Sequence, residues 1–417
     1  MNVYGVIILI GLLVDYVLHT ASDVLNLKAL AGRVPDSVAT LYGQDELVRA
    51  RNYIREVTAT AICERSVVLL LVLAFWFLGG FGWLDVVVRP WFASELARGL
   101  AYIGLLALAY SLVGIPFQIH DTFTTEARFG FNRTTWRTFV SDRIKGLMLA
   151  ALIGGLLLSG ILLLFLRAGD MAWLLCWVIV VVFSFTFQWL APALILPLFN
   201  RFEPMPQGGL RDAIIGYAEA LRFPLQNVYL IDGSRRSSKA NAFFTGLGRR
   251  RRIALFDTLV QRHTTDEVVA VLAHEVGHYR LKHVTKGLAF GALHAGIALF
   301  MLDFFLGQPG LYDALLFDRQ SLHAGFVCFG LLYTPVETFL SILSNLVSRR
   351  HEFAADRFAI DTAPSPDSLP GALKTLSVSS LAHPNPHWFH VFLNYSHPSL
   401  AQRLRAIDEH LAERKTA

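Results

Sequence analysis

The chemistry of this chain concentrates in HEVGH, residues 274–278, near the end of the run TTDEVVAVLAHEVGHYRLKH. On an α-helix positions i and i+4 share a face, so His274 and His278 can offer two imidazoles to one tetrahedral zinc. Glu275, beside them, can take a proton from water. HExxH also arises by chance, so the reading requires a third ligand. One stands in RRHEFAADRFA, where Glu352 and Asp356 are spaced i, i+4 and share a helix face. Glu352 completes a His-His-Glu set with a fourth position open, and Asp356 can accept the second N–H of a ligand histidine. Alone, a Glu and an Asp on a helix usually mark a solvated face; joined to HEVGH they read as parts of a site for one Zn2+ per chain.

These residues need a helix to carry them. Thr264, three residues before Glu267, is a capping-box signature, and Val268, Val269, Val271 and Leu272 follow at helical spacing. They also sit in a chain built for lipid. Of 417 residues, 54% are hydrophobic and only 17% charged, and the mean hydropathy is +0.47; soluble domains carry roughly 25% charge. Apolar runs of about twenty residues, enough to span a bilayer, lie near 3–25, 65–84, 99–119, 144–166, 172–199, 287–306 and 324–347. The first has no basic leader and holds Asp15 and His19, so it reads as a retained span.

The net charge of +5 arises from Lys and Arg placed in blocks between the apolar runs, which is the pattern of membrane orientation and excludes a nucleic-acid binder. Lys28, Arg33, Arg49, Arg51 and Arg55 follow the first span, and Arg128, Arg133, Arg137, Arg143 and Lys145 follow the third. The alternate connections are poor in cations. Seven spans therefore put the N-terminus outside and both halves of the zinc site on the cytoplasmic side, in a bacterial inner membrane or an ER-type membrane. Cys63, Cys176 and Cys328 are odd in number and scattered among apolar runs, so they read as small buried hydrophobes.

The expected organisation is membrane helices one to five over 1–199, a protease part with the HEVGH helix over 200–286, helices six and seven over 287–347, and a C-terminal part with the third ligand over 348–417. Within 200–286 a helix is expected from Leu210 to Leu221 and a strand from Asn227. ANAFFTGL and RIALFDTL form a hairpin whose edge can hold an extended peptide by main-chain pairing through the Ala242 N–H, beside Phe243. A hairpin that only packs on the zinc helix fits the pattern equally. Asp15, Gln118, His120, Gln188, His294, Asp303, Glu337 and Asn345 are costly in lipid, roughly 2.5–3.5 kcal/mol for a charge at mid-helix. Glu337 and Asn345, on the span leading to the ligand helix, point to an internal aqueous space.

Taken together, GFNRTTWRTFVSDRIK, LPLFNRFEPMPQGGL, IDGSRRSSKANAFFTG, RIALFDTL, HEVGHYRLKH, SRRHEFAADRFA and NYSHPSLAQRL resemble the membrane zinc metalloproteases of the CAAX prenyl endopeptidase family. The resemblance runs from the third span to about residue 410. It implies a mainly α membrane fold, with seven transmembrane helices around a chamber and a cytoplasmic zincin-like domain containing a small β-hairpin. It also implies endoproteolysis near the C-terminus of prenylated CAAX-type proteins, with membrane lipids as further partners. By the same resemblance His274, His278 and Glu352 match the ligands, Glu275 the general base and Asp356 the neighbour of a ligand. Asn241 matches a residue beside the bound peptide, and His397 and Arg403 match a pair near the zinc, His397 with a role in the transition state. His351 departs from the family, which commonly has an aromatic or apolar residue there, and is expected not to coordinate. Two readings compete: quality-control proteolysis of membrane or translocon-bound proteins, and a non-enzymatic chamber or transporter. The intact set His274, Glu275, His278 and Glu352 argues against the latter.

Overall fold

The computed structural model describes residues 1–245 and 251–416. Seven helices are long and apolar enough to cross a membrane: α1 (Val3–Ala29), α2 (Gln44–Phe77), α4 (Glu95–Arg128), α5 (Trp136–Arg167), α6 (Gly169–Phe199), α9 (His283–Leu306) and α10 (Leu322–Thr362). Between the second and third spans lies α3 (Gly80–Val88). The apolar run expected over 65–84 is thus two helices, not one span. Gly79 adopts φ +73, a left-handed turn that α2 cannot continue through, and α3 folds back. Hydropathy alone merges the two because both sides of the glycine are apolar. The α2 helix also starts well before the apolar run, so Arg49, Arg51 and Arg55 stand on a helical extension of the span.

Few residues within the spans are buried against the rest of the chain, so most of their surface stays open. The same openness explains Cys63, which is exposed against expectation, whereas Cys176 and Cys328 are buried. One end of the bundle is closed by a tight core that includes Ile8, Trp76, Phe81, Tyr102 and Leu315. There the Trp76 indole donates to the Ala314 carbonyl at 2.7 Å and the Tyr102 hydroxyl to the Phe81 carbonyl at 3.0 Å. These bonds satisfy polar atoms that lipid would leave unpaired.

The other end carries the soluble elements. A four-stranded sheet runs in the order β1-β2-β4-β3, with β1 at Phe202–Pro204, β2 at Leu225–Ile231, β3 at Ala242–Thr245 and β4 at Arg251–Phe256. The expected hairpin is β3 and β4, antiparallel with Ala242 opposite Leu255; its connecting residues 246–250 lie outside the described residues. The sheet is larger than the sequence indicated. β2 pairs parallel to β4, and β1, which ends on Pro204, pairs with the far edge of β2, an edge position where proline's missing N–H costs no ladder bond. Helices α7 (Gly209–Ala220), α8 (Thr265–Arg280), α11 (Ser368–Ser379), α12 (Trp388–Asn394) and α13 (Leu400–Thr416) complete the domain. Val268, Val269, Leu272 and Val276 of α8 enter one core with Ile253, Leu255 and Ile360, which fixes the helix that carries HEVGH.

Candidate metal centre

Helix α8 begins as its sequence demands. Thr264 accepts from the Glu267 N–H at 3.3 Å, and the Glu267 carboxylate accepts from the Thr264 N–H at 3.0 Å, a reciprocal cap of the first turn. Its far end packs against α10, a single helix that rises from the membrane and carries Glu352 and Asp356. Closeness here depends on Gly277. A Cβ at that position would lie 3.2 Å from both the Ala355 Cα and the Ala355 carbonyl oxygen, so a side chain would wedge apart the two helices that share the site. Nothing local to the motif marks Gly277 for this role, because the contact is made only with a second helix.

The three expected ligands converge. The Nε2 atoms of His274 and His278 are 3.1 Å apart; His278 Nε2 is 3.2 Å from Glu352 Oε1, and His274 Nε2 is 3.4 Å from Glu352 Oε2. Donors bonded to one tetrahedral zinc at about 2.0–2.1 Å lie roughly 3.3 Å from one another, so these spacings fit a single ion. Glu352 is 4% exposed, and its Oε2 has no hydrogen-bond partner. An orphaned buried carboxylate oxygen facing two imidazoles fits a cation and is otherwise expensive. Among the described residues this is the one set of three or more such side chains with donor atoms close enough to share a metal.

The surroundings hold these three side chains in place. His274 Nδ1 lies 2.8 Å from Asp356 Oδ1, and Arg403 of α13 grips the same carboxylate through Nε at 2.8 Å and Nη2 at 2.5 Å. Asp356 is 1% exposed. Because His274 Nδ1–H already donates to Asp356, the 3.4 Å approach of Arg403 Nη2 to that nitrogen is a contact rather than a second bond. Burial alone would lower the His274 pKa, yet the hydrogen bond to Asp356 and the neighbouring Glu352 carboxylate outweigh it and, with no metal bound, push it up to about 9. Glu275 is half-buried, and burial raises its pKa above the usual carboxylate value despite the opposing pull of His274 and His278.

His278 has its own support, unnoticed in the sequence. Its Nδ1 lies 2.9 Å from His283 Nδ1, and the His283 ring stacks on His351 at 4.0 Å. The meeting depends on Lys282, at φ +58, which turns the chain sharply from α8 into α9; a left-handed non-glycine residue costs about 1–2 kcal/mol. His351 thus stacks behind the residue that supports His278 and is not among the converging donors.

The remaining expected residues lie around this centre at different depths. His397, with its side chain 65% exposed, places Nε2 3.4 Å from Glu352 Oε1 and Nδ1 2.9 Å from the Ser396 hydroxyl. Asn241 precedes β3, and its side-chain oxygen accepts from the Ala242 N–H at 2.8 Å. The Phe256 N–H donates to the Asn241 carbonyl at 3.0 Å. Alternation along an antiparallel ladder then points the Phe243 N–H at β4 and the Ala242 N–H at the outer edge. Deeper in the bundle, Glu337 meets His294 at 2.9 Å, Asp15 accepts from Thr338 at 2.8 Å, and a cavity of about 290 Å³ opens beside them. Asn345, expected to face water, instead donates to the Leu393 carbonyl at 3.1 Å and ties α10 to α12.

A bundle of seven membrane helices capped by a HExxH domain with a downstream glutamate defines an integral-membrane metalloprotease. Residues 204–411 match peptidase family M48, and residues 23–201 match the CAAX prenyl protease N-terminal region of five membrane helices. The CAAX prenyl protease 1 homolog of Arabidopsis thaliana is 32% identical over 408 residues, 95% of this chain and 96% of that protein. CAAX prenyl protease 1 of Saccharomyces cerevisiae is 36% identical over 349 residues, 79% of this chain and 76% of that protein. The crystal structure of S. mikatae Ste24p superposes with a TM-score of 0.91 at 30% identity, covering 98% of this chain and 99% of that one. The chain belongs to peptidase family M48, as an integral-membrane metalloendopeptidase of the CAAX prenyl protease type.

Proposed function

We propose that this chain is a zinc endopeptidase that cleaves prenylated CAAX-type substrates at the centre formed by His274, His278 and Glu352. The observation that carries the proposal is the convergence of these three donors beside α8, a helix that packs against β3, the edge strand whose Ala242 N–H points away from the sheet. Two imidazoles, one carboxylate and an open position favour zinc, which supplies a Lewis acid able to lower the pKa of water to about 7. The substrate strand pairs with the free edge of β3, taking the Ala242 N–H from the Asn241 side chain, which then turns to the peptide backbone. Phe243 keeps its N–H in the sheet, while its ring meets Phe256 edge-on at 6.1 Å and steadies the edge.

Glu275 accepts the proton of the attacking water and returns it to the amine nitrogen that leaves; its raised pKa suits both halves of that transfer. His397, exposed beside Glu352, donates to the oxygen that gains charge as the peptide carbonyl is attacked. Asp356 fixes the His274 ring, and Arg403 holds Asp356 charged. The excess of Lys and Arg in the connections at this end of the bundle supports a cytoplasmic metal centre with the N-terminus outside. The open interior of the bundle receives the apolar prenyl chain.

The test pairs two CAAX peptides that differ only in the prenyl group, offered to the purified full chain in nanodiscs. Cleavage of the prenylated peptide alone, abolished by chelation and restored by zinc, is the expected result. Equal cleavage of both peptides would move the function to general quality control, and turnover that survives chelation would remove the metal from it.

A further inference from the structure

At the end of the bundle nearest the metal centre, α5, α6 and the β2–β3 connection enclose a second cavity, of about 370 Å³. Its lining includes five cations, Arg137, Lys145, Arg201, Arg235 and Arg236, against one carboxylate, Asp142. Arg236 is spoken for: it donates to both Asp142 oxygens at 2.8 and 3.0 Å and to Asn200 at 3.1 Å. Lys145 donates to the Leu198 carbonyl at 2.8 Å and lies over the Phe199 ring at 5.8 Å, with no acidic side chain within ion-pair distance among the described residues. Arg137, Arg201 and Arg235 are exposed and have no acidic side chain within ion-pair distance among the described residues. A general bias of cations to one membrane side spreads them along loops; it does not gather them around one cavity from three separate segments.

The two helices that line the cavity also expose apolar side chains. Val140, Ile144 and Met148, one turn apart on α5, are 49%, 55% and 66% exposed, and Leu194 and Leu198 of α6 are 61% and 48% exposed. Trp136 stacks on Phe123 at 3.9 Å at the start of α5, an aromatic at the depth where a bilayer meets water. We propose that this cavity binds the phosphate of an anionic phospholipid, whose acyl chains lie along Val140, Ile144 and Met148. The apolar surface is what separates this ligand from a free phosphate, which would gain nothing from it. A lipid seated there bridges α5, α6 and the soluble domain through Arg235 and Arg201.

The experiment counts phosphatidylglycerol retained by the full chain released from nanodiscs of phosphatidylcholine and phosphatidylglycerol, by native mass spectrometry. The variant Arg137→Gln/Arg201→Gln/Arg235→Gln removes side chains that pair with no acid, so its melting temperature should match wild type. Its retention of phosphatidylglycerol should fall roughly a hundredfold, given the usual contribution of each cation near an anionic lipid. Arg137→Gln alone should lose about fivefold and serves if the triple variant fails to fold. Arg133→Gln/Arg262→Gln/Arg405→Gln makes the same charge change at exposed positions outside the cavity and should retain the lipid. Equal loss in that control would show a diffuse field instead of a site. Displacement of the lipid by inorganic phosphate, or by a peptide with a free C-terminal carboxylate, would assign the cavity to a soluble anion; either result overturns the proposal.

Discussion

Helix α10 carries two histidine–carboxylate meetings, at Glu337 and at Glu352, about 22 Å apart along the helix at 1.5 Å per residue. They use the same residue types and differ in nearly everything else. His294 and Glu337 touch at 2.9 Å with side chains 27% and 55% exposed, beside an open cavity. Glu352 and His274 are 5% and 10% exposed, a second imidazole joins them, and Asp356 and Arg403 hold the first imidazole from behind. A histidine against a glutamate is therefore not a metal site. Convergence of three donors is, when burial removes the competing water and a second layer fixes the rings.

The largest effect tests the contrast directly. Glu352→Gln should empty the centre of metal and abolish cleavage, whereas Glu337→Gln on the same helix should leave metal content within about twofold, since among the described residues no third donor lies close enough to Glu337 and His294 to share an ion with them. Metal analysis of both purified variants decides it; equal metal content in the two would break the comparison. Next in size, Glu275→Gln should lower turnover by roughly 10²–10⁴, the usual range for a general acid-base group. Metal and melting temperature should be unchanged, because Glu275 is not among the converging donors. Retained turnover would assign proton transfer to another group.

A smaller loss sharpens the role of the supporting layer. Asp356→Asn should weaken metal affinity roughly 10–100-fold, as removal of a partner behind a ligand imidazole commonly does. A chelator competition measures it, and a loss no greater than that of Glu337→Gln would reduce Asp356 to a structural ion pair. The last effect is one of pH. In protein stripped of metal the His274 pKa stands near 9, above the ordinary 6.5, so the proton must leave before the ring can ligate. Metal affinity should therefore rise by about tenfold per pH unit below 9 and flatten above it. The same proton stabilises the stripped fold fully below pH 6.5, and that stabilisation is lost as the pH rises through 9. A metal affinity independent of pH from 6.5 to 9 would refute this.

Much of this was legible in order along the chain, and the errors have one source. The α8 cap, the pairing of His274 with His278, the i, i+4 spacing of Glu352 and Asp356 and the seven apolar runs are local patterns, set by helical period and hydropathy. Hydropathy extends the second span too far because it does not register the left-handed Gly79, and it predicts a buried Cys63 because apolar neighbours in sequence do not ensure neighbours in space. His283 stood in plain view in the motif run. It drew no attention because its partner, His278, is reached only through the turn at Lys282.

By itself, then, the sequence determined which residue types could bind a metal, which helices would carry them, and that the chain crosses a membrane repeatedly, since each follows from periodicity within about twenty residues. The tertiary structure decided what those residues became. It brought α8 and α10 close enough at Gly277 and Ala355 for one ion to reach three donors. It set Arg403 behind Asp356 from 47 residues away and left β3 at the sheet edge. It also gathered Arg137, Arg201 and Arg235 around one cavity. Such meetings depend on packing between segments distant in the chain, where no local period carries the information and only the burial of a shared core selects the arrangement.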